Sequence, residues 1–135
     1  MNRKGLIIGL IIDDDPLVCK VLEKILHQRG IEAILATDSR KAQKTLEEHA
    51  EDLAIAIVDL LIPGGGLTGW DIIAYMKQHE ETADIPIIVL TGVMISPKEQ
   101  AKLEQHVSAV VRKWDFDLKS FGKILDKLLS GDNSA

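Results

Sequence analysis

Apolar runs alternate along the chain with stretches in which apolar residues recur at helical spacing. The runs contain mainly isoleucine, leucine, valine and alanine, and they cover residues 6–12, 31–36, 53–58, 85–90 and 107–111. Runs this short and this continuous are typical of strands buried on both faces. The alternation therefore predicts a parallel sheet with helices packed on each side.

The helical pattern is clearest between residues 15 and 29. Its apolar positions fall on one stripe: Val18, Val21, Leu22, Ile25 and Leu26. Asp15-Pro16 is a typical helix start and Gly30 a typical stop. Weaker patterns predict helices over about 39–49 and 69–79.

Two further helices are predicted near the end of the chain. Ser96 lies three residues before Glu99, with Pro97 between them, which indicates a capped start for a short polar helix over about 98–106. The last helix, over about 117–129, has an apolar stripe predicted to face the core: Leu118, Phe121, Ile124, Leu125 and Leu128.

Five consecutive βα units predict an α/β, doubly wound fold in one domain, residues 5–130, with a frayed tail over 131–135. Right-handed crossovers place the carboxyl end of every strand on one rim, where such folds bind ligands.

Composition narrows the function classes. The 135 residues carry a formal net charge of −5, which argues against a general nucleic-acid binder. The single cysteine, Cys19, cannot form an internal disulfide, and no apolar run is long enough to cross a bilayer. We therefore expect a cytoplasmic domain with no nucleic-acid or membrane partner.

The residues that follow the strands point to a chemistry. Asp13 and Asp14 follow the first strand, Asp59 the third, Thr91 the fourth and Lys113 the fifth. Adjacent carboxylates at the end of a buried strand are costly unless a cation lies between them, so the acidic pair predicts a hard metal ion. Asp15, just before Pro16, is better interpreted as a helix N-cap.

Four segments, each at a predicted strand end, carry a family resemblance. They read IIDDDP at 11–16, IVDLLIPG at 57–64, IVLTG at 88–92 and VVRK at 110–113. Together they resemble the response-regulator receiver domain of two-component signalling, similar to the chemotaxis regulators, over about residues 5–130. The resemblance implies a flavodoxin-like sheet of strand order 2-1-3-4-5, with helices on both faces and the first and third strands adjacent.

The resemblance also implies roles for the rim residues. Asp59 would accept a phosphoryl group, and Mg²⁺ would be bound directly by Asp14 and Asp59, through water by Asp13, and by the backbone carbonyl of Leu61. Thr91 and Lys113 would bind oxygens of the phosphoryl group.

The sequence departs from the family pattern in several places. Trp114 replaces the proline that commonly follows the lysine, and a cis bond before a non-proline residue costs about 3–4 kcal/mol, so we predict a trans Lys113–Trp114 bond and an altered loop. Val110 replaces a common aromatic residue, so coupling to the outer surface must use another element or be weak. Leu61 and Val93 replace polar residues that position water, which predicts slow loss of the phosphoryl group. The loop 63–69, rich in glycine, is expected to be mobile.

We expect a stand-alone receiver that accepts its phosphoryl group from a histidine kinase or phosphotransfer protein and signals by binding a downstream effector protein. It would be a monomer or weak homodimer, and it would catalyse only its own phosphorylation and slow dephosphorylation. Two alternatives stay open. One is a pseudo-receiver that binds partners without phosphorylation, and the other is a metal-dependent phosphohydrolase using the Asp13-x-Asp15 pattern.

Overall fold

The computed structural model describes residues 7–62 and 68–130, in which strands and helices alternate. The elements are β1 (Ile8–Ile12), α1 (Pro16–His27), β2 (Glu32–Ala36), α2 (Ser39–His49), β3 (Leu53–Val58), α3 (Gly69–Gln78), β4 (Ile87–Thr91), α4 (Pro97–Glu104), β5 (Ala109–Arg112) and α5 (Leu118–Leu129). Single 3₁₀ turns precede β3 and follow β5, at Ala50–Asp52 and Lys113–Asp115. Each predicted strand and helix is present, with boundaries that differ by at most a few residues.

The five strands form one parallel sheet in the order β2-β1-β3-β4-β5. This confirms the doubly wound α/β fold and the strand order that the resemblance implied. Because β1 pairs with both β2 and β3, the residues that follow β1 and β3 lie side by side at the rim.

Alternate residues of each strand supply two apolar layers. Leu10 and Ile12 of β1 pack with α2, α3 and α4, whereas Ile11 packs with α1 and α5. The side chains of all three are fully buried. A strand covered on both faces must be apolar at successive positions, which explains the continuous apolar runs of the sequence.

The helix starts agree with the sequence prediction. The Asp15 carboxylate accepts hydrogen bonds from the backbone N–H groups of Leu17 and Val18, so it caps α1 as predicted. Ser96 and Glu99 form the reciprocal capping box predicted for α4.

One core prediction is wrong. Leu118 was expected to face the core together with Phe121 and Leu125, which are buried, but its side chain is 58% exposed. Leu118 lies in the first turn of α5, at the rim where the strands end, and a residue there extends past the apolar layer despite its correct spacing.

Residues 63–67 of the predicted loop and the predicted tail 131–135 lie outside the described residues. Within the part of the chain that the structure describes, no helix has both the length and the apolar character needed to cross a membrane.

Candidate functional site

The sheet brings the predicted rim residues together in space. The backbone N–H of Asp13 donates to the carbonyl of Ala36, and that of Asp59 donates to the carbonyl of Ile12, so hydrogen bonds with neighbouring strands continue up to both aspartates. Their side chains therefore leave from rigid backbone. Thr91 ends β4, and Lys113 follows β5 directly.

Three carboxylates form one cluster. Asp13, Asp14 and Asp59 each place an oxygen within 4.8 Å of the others. Asp13 and Asp59 are buried, at 2% and 5% exposure, whereas Asp14 is exposed. Two carboxylates therefore lie mostly out of water while a third opens the cluster to solvent.

Lys113 lies between the two buried carboxylates. Its ammonium is 3.0 Å from Asp13 Oδ2 and 3.0 Å from Asp59 Oδ2. Because β4 separates β5 from β3 in the sheet, the lysine side chain has to pass over the end of β4, and its Cδ lies 3.6 Å from where a Cβ on Gly92 would be. The lysine stem therefore passes within van der Waals distance of the position that a side chain at residue 92 would occupy.

Charge and burial shift the pKa values of this pair. Burial raises the pKa of Asp13 above its usual value, and its hydrogen bonds with the Asp15 N–H and Lys113 offset this only in part. Burial alone would lower the pKa of Lys113, but hydrogen bonds to Asp13 and Asp59 outweigh it and raise the pKa. The lysine is therefore a firmly charged counter-ion.

The bond between Lys113 and Trp114 is trans, as predicted, since the described residues include no cis peptide bond. The chain then continues into the 3₁₀ turn Lys113–Asp115, and Lys113 still reaches Asp59. Arg112, one residue earlier, points away from the site, because its guanidinium contacts Gln100 of α4 at 3.4 Å. Arg112 therefore does not take part in the contact with the two carboxylates.

Thr91 is fully buried at the end of β4, and its hydroxyl oxygen accepts a hydrogen bond from the N–H of Val93 at 3.1 Å. That bond fixes the Thr91 side chain and uses one lone pair of its oxygen, so the O–H can donate to another group.

Leu61 lies next to the acceptor aspartate. It donates its N–H to Asp59 Oδ1 at 3.3 Å, and its side chain is 62% exposed. The role predicted for its carbonyl stays a prediction.

Cys19 contacts the main chain of the site, a contact that the sequence did not indicate. Its buried thiol donates to the backbone carbonyl of Asp13 at 3.2 Å. Burial and the nearby aspartates raise its pKa to about 11, so it is a thiol rather than a nucleophile at neutral pH. Asp15, in contrast, is used to cap α1, which leaves the Asp13-x-Asp15 pattern of a phosphohydrolase without its second acid.

The arrangement fits a hard divalent cation. Three carboxylates face a single ammonium, so the cluster keeps an excess of negative charge in a partly dehydrated place. All donors are oxygens, and the exposed side of Asp14 leaves room for water. Oxygen donors with several retained waters are what Mg²⁺ prefers.

Comparisons with known proteins point to one family. The family model described as the response regulator receiver domain matches residues 10–123. The heme response regulator HssR of Staphylococcus saprophyticus is 37% identical over 95 residues, covering 70% of this chain and 39% of that protein. The phosphate regulon transcriptional regulatory protein PhoB of Escherichia coli is 30% identical over 83 residues, covering 62% and 34%. The matches thus span less than half the length of these relatives.

Solved structures show the same fold. A response regulator receiver domain protein from Clostridium thermocellum superposes with a TM-score of 0.78 at 21% identity, covering 93% of this chain and 96% of that one. A putative response regulator from Chloroflexus aurantiacus gives a TM-score of 0.78 at 25% identity, covering 93% and 99%. The family match over most of the chain and the shared fold lead to one conclusion: this chain belongs to the response-regulator receiver domain family.

Proposed function

We propose that Asp59 accepts a phosphoryl group from a phosphohistidine on a partner histidine kinase or phosphotransfer protein. The main support is the position of Asp59: a buried carboxylate on rigid backbone, beside a second buried carboxylate and 3.0 Å from a lysine ammonium. An Asp59 oxygen forms the new bond to phosphorus, and the bond between phosphorus and the histidine nitrogen breaks.

The other residues would stabilise the negative charge of the phosphoryl group during its transfer. Lys113 leaves its carboxylate partners to pair with a phosphoryl oxygen, and Thr91 donates its O–H to another. Asp13, Asp14, Asp59 and the Leu61 carbonyl would hold Mg²⁺. When bound, this ion offsets negative charge on the carboxylates and on the transferring group.

The partner meets a surface suited to a protein. Among the described residues, six large apolar side chains are exposed, and five of them lie in rim loops or in the first turns of rim helices. They are Leu17, Leu61, Met94, Trp114 and Leu118. Apolar side chains around a charged centre favour docking of a protein that carries the phosphoryl group.

The phosphorylated form should be long-lived. Leu61 and Val93 follow Asp59 and Thr91 by two residues, and neither side chain can orient a water for attack on phosphorus. Loss of the phosphoryl group within seconds in Mg²⁺ buffer would contradict this.

Signalling would then proceed by binding a downstream effector through α4, β5 and α5. Val110 packs against the apolar layer on the α4 side, and Arg112 contacts Gln100, so both link β5 to α4. The matched relatives HssR and PhoB are longer response regulators, and whether this chain acts without an output domain stays a prediction, as do its location in the cytoplasm and its monomer or weak homodimer state.

The test is phosphorylation by acetyl phosphate with Mg²⁺, followed by intact mass. We expect a gain of one phosphoryl group in the wild type, none in Asp59→Asn, and a normal gain in Asp126→Asn, whose carboxylate is on the last turns of α5. A gain that persists in Asp59→Asn would contradict the assignment of the acceptor.

A pseudo-receiver is the second candidate, favoured by the 55% exposed Trp114 in place of the usual proline. The same assay separates the two functions, because a pseudo-receiver shows no mass gain in any variant.

A further inference from the structure

The start of α3 lies directly against the main chain of the phosphoacceptor. The N–H of Gly69 donates to the carbonyl of Leu60 at 2.9 Å, so the first residue of α3 is bonded to the residue after Asp59. On its other side, the Asp59 N–H is bonded to Ile12 of β1 at 2.9 Å. The Asp59–Leu60 peptide is therefore flanked by a hydrogen bond to β1 on one side and a hydrogen bond to the start of α3 on the other.

This close approach is possible only without a side chain at position 69. A Cβ built there would lie 2.9 Å from the carbonyl carbon of Asp59, 2.5 Å from Leu60 Cα, and closer still to the carbonyl oxygen of Asp59. Contacts under 3 Å are strongly repulsive, and all three atoms are backbone, which cannot turn aside as a side chain can.

We propose that Gly69 is a positioning residue for Asp59: its missing side chain sets the place of the Asp59–Leu60 peptide and thereby the position of the acceptor carboxylate. This inference rests on the proposed function of Asp59. A methyl group at position 69 has to push either α3 or the Asp59–Leu60 peptide outward. Since Ile72 and Met76 are fully buried and hold α3 against the sheet, α3 cannot move out freely, and part of the displacement falls on the peptide.

A small shift of that peptide matters because the carboxylate is fixed at both oxygens. Asp59 Oδ1 accepts from the Leu61 N–H at 3.3 Å, and Oδ2 is 3.0 Å from Lys113. Moving the main chain by a fraction of an ångström changes the distances to Lys113 and Asp13 together. Misplacement by about 1 Å can lower a rate roughly a hundredfold.

The experiment compares Gly69→Ala with Gly122→Ala. Gly122 is also buried and helical, in α5, but a Cβ there would meet only the end of the flexible Arg29 side chain, at 2.7 Å. Both changes replace a buried glycine by alanine, and because Gly122 is in the interior of α5 whereas Gly69 is the first residue of α3, the control carries the larger effect on helix propensity. A third variant, Leu46→Ala in the core under α2, lowers stability without touching the site.

Two measurements are made on each variant after circular dichroism has shown that it is folded: the rate of phosphorylation by acetyl phosphate and the dissociation constant for Mg²⁺ by calorimetry. We expect Gly69→Ala to phosphorylate roughly tenfold to a hundredfold more slowly and to bind Mg²⁺ more weakly. Gly122→Ala and Leu46→Ala should match the wild type in both. A folded Gly69→Ala with wild-type rate and Mg²⁺ affinity would overturn the inference, and so would an equal loss in Leu46→Ala.

Failure of the proposed function would look different. If the wild type gains no phosphoryl group, the acceptor role of Asp59 is wrong, and the Mg²⁺ titration alone then decides on Gly69. Weaker Mg²⁺ binding in Gly69→Ala would still support a positioning effect on the Asp59 carboxylate, and equal binding would refute it.

Discussion

Two ion pairs, at separate places in the molecule, differ in how exposed their carboxylates are to water and in the distance between their charged atoms. At the rim, Lys113 is 3.0 Å from Asp13 and from Asp59, whose side chains are 3% and 7% exposed. Between α1 and α5, Arg29 is 2.6 Å from Asp126, whose side chain is 63% exposed. The shorter ion pair is the one whose carboxylate is exposed to water, so the distance alone does not indicate how much each pair contributes to stability.

Burial decides what each contact does. An exposed ion pair contributes little to stability, because water solvates both partners when they separate. Buried carboxylates keep their desolvation cost when the cation leaves, so they require a replacement. Loss of Lys113 should therefore cost more stability than loss of Arg29, whose contact with Asp126 links the turn after α1 to α5.

Removing each cation should give the largest difference. Lys113→Met leaves two buried carboxylates without a counter-ion, and we expect a loss of about 1–3 kcal/mol in the free energy of unfolding at pH 7, below the full cost of breaking a buried pair because Lys113 itself is partly solvated. Arg29→Met should lose much less. Urea unfolding of both variants in EDTA measures the two losses.

Addition of Mg²⁺ sharpens this test. In Lys113→Met the ammonium no longer competes for Asp13 and Asp59, so Mg²⁺ should bind more tightly than in the wild type and should recover stability by linkage. Because the rim is intact in Arg29→Met, Mg²⁺ should stabilise this variant and the wild type equally and leave the difference between them unchanged. Equal losses in the two variants, or no response of Lys113→Met to Mg²⁺, would show that burial at the rim does not set the strength of this contact.

The fold could be predicted from the sequence because each strand is buried on both faces. The bounds of β3 and α2 agree with the predicted 53–58 and 39–49, because the apolar run of β3 is continuous and the Asp38 carboxylate caps α2 by accepting from the Lys41 N–H. Leu118 was predicted wrongly because helical spacing gives the face of a helix but not how far the apolar layer extends along it. The strand order came from family resemblance and is confirmed by the pairing of the strands.

The site was less accessible to sequence reasoning. Residue types at strand ends indicated an acidic cluster, and the structure brings Asp13, Asp14 and Asp59 together. The sharing of Lys113 by two carboxylates depends on a side chain crossing the end of β4, which no local pattern encodes. Gly69 was missed because its contribution is the space it leaves empty, and a glycine next to a glycine-rich loop reads simply as part of that loop.

Lowering the pH should change the contributions of Asp13 and Asp126 to the stability of the protein in opposite directions. The raised pKa of Asp13, caused chiefly by burial, means that its contribution to stability is fully present below the unfolded value of 3.8 and is lost as pH rises through the folded pKa. The lowered pKa of Asp126, caused chiefly by its hydrogen bond with Arg29, means that its contribution is present above 3.8 and is lost as pH falls through the folded pKa.

We therefore expect Asp13→Asn to be more stable than the wild type at pH 7 in EDTA, with the gap closing as the pH falls and vanishing below 3.8. Asp126→Asn should be slightly less stable than the wild type at pH 7, and that gap should also close in acid. Urea unfolding between pH 3 and 7 gives both curves. A wild type more stable than Asp13→Asn at pH 7 would mean that the hydrogen bonds with Asp15 and Lys113 outweigh burial.

A high salt concentration should have the smallest effect, and it should weaken the exposed ion pair more than the buried one. The coupling energy of each contact can be measured by a double-mutant cycle, with Arg29→Met and Asp126→Asn for one and Lys113→Met and Asp59→Asn for the other. At 1 M salt the screening length is about 3 Å, so the coupling of the exposed pair should fall toward zero. The buried carboxylates exclude the ion atmosphere, and their coupling with Lys113 should change little.

Tetramethylammonium chloride is the suitable salt for this measurement, since its bulky cation cannot enter the carboxylate cluster in place of the lysine. If both couplings decline in parallel, water and ions reach the rim as freely as they reach Asp126, and the contrast between the two contacts disappears.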